Sequence, residues 1–156
     1  MRITRFTDLA LRLLTHLAAH PQQRSAVAGV AALYDLSAAH LEKVASELAR
    51  LGLVVATRGR NGGLKLARAP QDIGIGSVVR ALESDDVAGC EGCRERARCK
   101  LPTLLCEAFN AFYQTLDRYT IADLNAASQV DAARGQTLDL GRLMGHVENR
   151  QGQLVA

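Results

Sequence analysis

The sequence predicts a mainly α fold: three helices, the second and third separated by a tight turn, then a β-hairpin, a Cys-rich loop and one long helix. Three observations predict it. Apolar residues recur at helical spacing over 7–20 and 38–51, a Gly-rich turn over 58–63 joins two short strand-like runs, and a further apolar stripe runs from Leu101 to Tyr119.

Each element follows from local chemistry. In Thr7–His20 the residues Ala10, Leu13, Leu14 and Leu17 share one face, and Pro21 stands where a helix should stop. Val27–Tyr34 reads as a short helix ended at Asp35-Leu36, and the Ser37 hydroxyl is placed to cap the next. That next helix, Ala38–Leu51, puts Leu41, Val44, Ala45, Leu48 and Leu51 on one side and His40, Lys43, Glu47 and Arg50 on the other, with Gly52 as its stop. Leu53–Thr57 and Leu64–Ala67 read as strands joined by Arg58-Gly59-Arg60-Asn61-Gly62-Gly63. Ile73–Leu82 reads as a short helix.

In Leu101–Tyr119 the residues Leu101, Leu104, Leu105, Ala108, Phe109, Phe112, Leu116 and Tyr119 keep helical spacing. This is more apolar surface than a small chain covers alone, so a homodimer is expected to bury it. Past Asp123 small, polar and Gly residues dominate, and a mobile tail is expected there. The resulting organisation is 1–82 for the hairpin-bearing helical domain, 83–100 for the Cys-rich loop, 101–124 for the long helix and 125–156 for the tail.

At 156 residues the chain fits one domain plus an accessory element, too short for a catalytic α/β barrel. A hydrophobic content of 48% against 22% charged residues is that of a chain able to bury a core rather than a disordered one. The net charge of +3 is uneven: residues 1–80 hold 11 Lys/Arg against 5 Asp/Glu, and residues 81–156 hold 8 against 11. Phosphate contacts therefore belong in the first half. Asp8 and Arg12 interrupt the apolar N-terminal stretch, which argues against a signal peptide, and no apolar run is long enough to span a membrane. A cytoplasmic location is expected.

Helix, turn, second helix with an exposed polar face and basic-tipped hairpin is the element order of a winged helix-turn-helix DNA-binding domain, the hairpin being the wing. An α-helix fits the major groove, so Ser37, Ala38, Ala39, His40 and Lys43 can approach base edges and phosphates of double-stranded DNA. Arg58, Arg60 and Asn61 at the wing tip are placed for the adjacent minor groove or its phosphates. Gly59–Gly63 carries neither the dinucleotide-binding nor the Walker pattern.

The four cysteines form Cys90-x2-Cys93-x5-Cys99-x6-Cys106. In a reducing compartment, thiolates so close are ligands or redox groups rather than disulfides. Three readings stay open on spacing. An iron-sulfur cluster accepts irregular loops, zinc more often takes two Cys-x2-Cys arms where only one is present, and a thiol redox pair lacks a thioredoxin-like context. Cys106 falls within the long helix, roughly 115° from the centre of its apolar stripe at ~100° per residue. His16, His20, His40 and His146 make no constellation with a nucleophile, and each reads as a surface or core histidine; no enzyme is expected.

Over residues 1–125 the sequence resembles the Rrf-two family of bacterial regulators, and within it the NsrR-type nitric-oxide-sensitive repressors. The likeness rests on Met1–Arg12, on the Arg58–Leu64 wing, and on Cys99-Lys100-Leu101 leading into Leu116–Leu124. It implies a homodimeric repressor that reads an imperfect palindromic operator with two helix-turn-helices. It also implies a 4Fe-4S cluster on Cys90, Cys93 and Cys99, with Asp8 of the other subunit as fourth ligand and nitric oxide as the signal that releases DNA. The interval between Cys90 and Cys93 is shorter than the family's, which leaves Cys106 as a substitute ligand. Regulators sensing cluster supply or redox state, and a zinc-stabilised DNA-binding module, are the alternatives.

Overall fold

The computed structural model describes residues 3–59, 62–83 and 100–126. The chain divides into two units, Met1–Asn125 and Ala126–Ala156; the first holds every described residue but Ala126, and of the expected tail all but Asn125 and Ala126 lies outside the described residues. In chain order the elements are α1 (Arg5–Ala19), α2 (Val27–Leu33), α3 (Ala38–Arg50), β1 (Val54–Thr57), β2 (Gly63–Leu66), a 3-10 turn at Pro70–Asp72, α4 (Ile75–Leu82) and α5 (Leu101–Leu116).

α1 begins at Arg5, two residues before the predicted start at Thr7, because Thr4 caps it, its hydroxyl accepting from the Thr7 N–H at 3.3 Å. Its buried Leu9, Ala10, Leu13, Leu14 and Leu17 form the centre of the core. Against them pack Val30 and Ala31 of α2, Leu41, Val44 and Leu48 of α3, and Ile75, Val78 and Val79 of α4. Each of the large buried side chains contributes about 1.5–3 kcal/mol by leaving water.

Backbone motifs fix both ends of the α2–α3 unit. After α2 the Leu36 N–H donates to the Ala31 carbonyl at 2.8 Å and the Asp35 N–H to the Ala32 carbonyl at 3.4 Å, with Asp35 at φ 51°. This is a Schellman turn in which aspartate takes the left-handed position usually given to glycine. After α3 the Leu53 N–H bonds the Leu48 carbonyl at 2.9 Å and the Gly52 N–H the Ala49 carbonyl at 3.0 Å, here with the expected glycine at φ 67°. Ser37 does occupy the N-cap of α3, but its hydroxyl makes no capping bond; the Leu41 N–H to Ser37 carbonyl bond of 3.0 Å and the buried Leu41 and Val44 hold that end instead.

β1 and β2 pair antiparallel, Val54 opposite Leu66 and Thr57 opposite Gly63. Ser25 adds a third edge: its N–H and carbonyl exchange bonds with Leu64 at 3.1 and 2.9 Å. Gly63 permits this approach, since a Cβ there would lie 3.0 Å from the Ser25 carbonyl oxygen and φ is 152°.

The helices at the C-terminal end of the described chain are shorter than periodicity predicts. α4 starts at Ile75 rather than Ile73, and α5 stops at Leu116 rather than Tyr119. The cause is one contact: Gly74 and Thr120 form an isolated antiparallel bridge, with the Ile75 N–H bonded to the Tyr119 carbonyl and the Ile121 N–H to the Ile73 carbonyl, both at 2.9 Å. The chain then turns helical again over 121–126. Thr120 and Asp123 cap this start reciprocally: the Thr120 N–H and hydroxyl donate to Asp123 Oδ2 at 2.7 and 2.8 Å, and the Asp123 N–H donates back to the hydroxyl at 3.4 Å. The predicted 101–124 helix is thus two segments.

On α5 the inward side is Phe109, Phe112, Tyr113 and Leu116, with Tyr113 buried where the predicted stripe omitted it. Leu104 remains 59% exposed and Tyr119 51%. Among the described residues no helix is long and apolar enough to cross a membrane.

Candidate nucleic-acid interface

The outward face of α3 follows from its inward one. With Leu41, Val44, Ala45 and Leu48 buried, helical geometry turns Ala38, Ala39, His40, Glu42, Lys43 and Ser46 to solvent, and Ser37 before them is exposed too. Toward the C-terminal end of α3, Arg50 donates from Nε to Glu47 Oε2 at 3.0 Å and from Nη2 to Oε1 at 2.6 Å. This bidentate bond holds the Glu47 carboxyl below its ordinary range and raises Arg50 above its own. The positive potential of the helix is thereby concentrated at its N-terminal half, on Lys43.

Arg58 is exposed just beyond β1. The turn that follows closes through the Gly62 N–H to Gly59 carbonyl bond of 2.8 Å, and a Cβ on Gly62 would lie 2.3 Å from the Thr57 carbonyl oxygen. Only glycine fits there. Arg24 donates from Nη1 to the Thr57 hydroxyl, so the residue pair Arg24-Ser25 grips the wing from outside the hairpin. Sequence reasoning missed this pair, because a one-residue bridge leaves no periodic trace. Arg60 and Asn61 of the predicted wing tip lie outside the described residues.

The predicted metal ligands divide in the same way. Cys90, Cys93 and Cys99 lie outside the described residues; Asp8 and Cys106 lie within them. Asp8, in the first turn of α1, is partly exposed and accepts through Oδ2 from Arg12 Nε at 2.9 Å, while Oδ1 has no partner among the described residues. Cys106 is exposed on α5, and Asn110 Nδ2 donates weakly to its Sγ at 3.8 Å. Among the described residues no group of three His, Cys, Asp or Glu side chains converges on a metal position.

Residues 3–127 match the family model described as Rrf2, iron-dependent transcriptional regulator. The chain belongs to the Rrf2 family. This Rrf2 protein is 41% identical over 131 residues to the HTH-type transcriptional regulator NsrR of Halalkalibacterium halodurans, a match covering 80% of this chain and 90% of the relative. The NsrR of Shouchella clausii is equally similar, with 88% of it covered. These relatives are transcriptional regulators rather than enzymes. Among solved structures, CymR, the global cysteine regulator of B. subtilis, superposes with a TM-score of 0.65 at 26% identity, over 81% of this chain and 98% of that one. The IscR of T. potens gives 0.66 at 25%, over 83% and 90%. The helix-turn-helix and hairpin of this Rrf2 regulator therefore belong to a fold built in other transcription factors.

Proposed function

We propose that this Rrf2 regulator is a homodimeric repressor, acting in the cytoplasm, that binds double-stranded operator DNA and releases it when a 4Fe-4S cluster meets nitric oxide. Supporting this most directly is the occurrence, in a chain 41% identical to regulators named NsrR, of the thiol set Cys90, Cys93 and Cys99. The donor chemistry fits: three thiolates in one short segment suit iron, and the partly exposed Asp8, with Oδ2 held by Arg12, would supply a carboxylate oxygen as the fourth ligand from the partner subunit. When bound, the cluster supplies iron that a diatomic ligand can reach.

The chain's own residues do the rest. Ser37, Ala38, Ala39, His40 and Lys43 enter the major groove at the N-terminal half of α3, while Arg58, Arg60 and Asn61 reach the minor groove or its phosphates from the wing. The exposed Leu104 and Ala108 of α5 meet their counterparts in the dimer. A tie between Asp8 of one subunit and the cysteines of the other sets the angle between the two reading domains, and losing it lowers operator affinity. The signal acts only through the difference in affinity between the tied and untied states.

The test is the absorption spectrum and the iron, sulfide and zinc content of anaerobically purified protein, followed by titration with nitric oxide in the presence of operator DNA. A brown protein near ~4 iron per subunit that bleaches and releases DNA supports the proposal. A colourless protein with stoichiometric zinc overturns the cluster mechanism and leaves a zinc-stabilised DNA-binding module. In a second reading, open on the same cysteines, the fold senses cluster supply or redox state. Promoter occupancy under each stress separates the two.

A further inference from the structure

His16 is 8% exposed near the end of α1, where it touches residues that support both the wing and the turn before α3. Its Nε2 lies 3.3 Å from the Ser25 hydroxyl, and Ser25 carries the backbone bridge to Leu64 of the wing. Its Nδ1 lies 3.4 Å from the Tyr34 hydroxyl, in the turn that launches α3, and the two rings meet edge-on with centroids 5.7 Å apart. The third neighbour is His20, stacked on it at 4.5 Å and anchored by its own Nδ1 to the His16 carbonyl at 2.9 Å.

We infer that His16 is a positioning residue for the DNA-reading surface: its neutral ring holds the wing root through Ser25 and the turn before α3 through Tyr34, and a proton on this buried ring beside His20 weakens that hold. The inference rests on the DNA-binding reading above. The groups that face the ring explain the direction. α1 presents the imidazole of His20, the turn after α2 presents the Tyr34 phenol, and the segment leading into α2 presents the Ser25 hydroxyl. The neighbouring Arg24 guanidinium is turned to Thr57. No carboxylate pairs with His16 among the described residues. Both hydroxyls can rotate to accept from an imidazolium, so hydrogen bonding alone does not forbid the proton. What opposes it is burial first and then repulsion from a charged His20, which lower its pKa from the ordinary 6.5. The sign follows by linkage. The unfolded chain takes up the proton before the folded one, so the native arrangement loses stability as pH falls below that ordinary value.

The experiment uses a duplex selected from a random-sequence pool by the wild-type protein at about pH 7.5. Its affinity is measured at about pH 7.5 and about pH 5.5 for wild type and His16→Gln. Circular dichroism follows the fold, and visible absorbance follows any bound cluster. Exposed His40 is common to both proteins and cancels in the comparison. Wild type is expected to lose at least about fivefold more affinity on acidification than His16→Gln. Over the same range, the exchange protection of the Ser25 and Leu64 N–H groups, corrected for intrinsic rates, falls in wild type and stays level in the variant. Equal acid responses in the two proteins overturn the inference. If wild type selects no duplex, the DNA-binding reading is what fails, and the two amides still decide the role of His16. Should His16→Gln not fold, Ser25→Ala takes its place: a Leu64 amide that no longer responds to acid supports the link, and one that responds as in wild type overturns it.

Discussion

Glu83 caps the helix that carries Asp8: its Oε1 accepts from the Thr4 backbone N–H at 2.8 Å and from the Thr4 hydroxyl at 2.9 Å. It is also the C-cap residue of α4, so the chain leaves α4 already fastened to the start of α1. Burial pushes the Glu83 carboxyl up, but the bonds from Thr7 and from the Thr4 N–H and hydroxyl together outweigh it and hold it below its ordinary value. The capping contribution is therefore present above the ordinary carboxylate range and is lost as pH falls through the lowered one. Glu83→Ala is expected to cost about 1 kcal/mol at neutral pH. The deficit should shrink in acid, as chemical denaturation at the two pH values checks.

Gly76 and Asp117 are matched in the same mechanical sense. A Cβ on Gly76 would lie 2.0 Å from Asp117 Oδ1, while Arg80 holds that carboxylate through Nη1 at 2.8 Å and Nη2 at 2.5 Å and lies 4.5 Å over the Tyr113 ring. Gly76→Ala must displace the carboxylate and break the α4–α5 clasp. A melting temperature roughly 4–8 °C lower is expected. In an Asp117→Ala background the same substitution should be much milder, and equal losses in both backgrounds would count against the clasp.

On the wing, Gly62→Ala drives a methyl into the Thr57 carbonyl oxygen. The hairpin tip rearranges while the core under α1 stays intact. Operator affinity is expected to fall by about tenfold or more, the loss of roughly one good contact of ~1.4 kcal/mol. Thermal melting should move little, and the two measurements on one sample check it.

Lys43 and Arg50 stand on one polar face of α3 but differ in what already holds them. Arg50 is engaged by Glu47 and Lys43 makes no ion pair among the described residues. Lys43→Ala is expected to reduce the slope of log affinity against log salt by about 0.9, as one lost phosphate contact does. Arg50→Ala should change it by clearly less. A salt titration of both variants against the same duplex decides, and equal slopes would place Arg50 on DNA as well.

The reading elements were legible in the sequence because burial imposes a period on them. Leu41, Val44, Ala45 and Leu48 recur as one stripe, and the glycines after Thr57 announce a turn. What escaped was set by single backbone contacts. Tyr119 falls in helical phase with Leu116, yet its carbonyl is taken by Ile75, so the period continues where the helix does not. Thr120-Ile121-Ala122-Asp123 did carry a readable signal for the restart, the spacing of a capping box. His16 and His20 looked scattered as letters, although a separation of four on a helix brings their rings together. Nothing in the letters links Ser25 to Leu64. The Cys-rich segment announces ligands by composition, while their geometry falls outside the described residues.

The two Schellman turns that bracket α3 have an evolutionary consequence. Backbone bonds at Leu36 and Leu53, with four buried side chains, fix where this helix lies, and Ser37 contributes no side-chain cap. The outward positions Ala38, Ala39, His40, Glu42, Lys43 and Ser46 are thus relieved of architectural duty. On the DNA-reading role proposed for them, a descendant would acquire a new set of promoters by changing its lettering there while inheriting the scaffold whole.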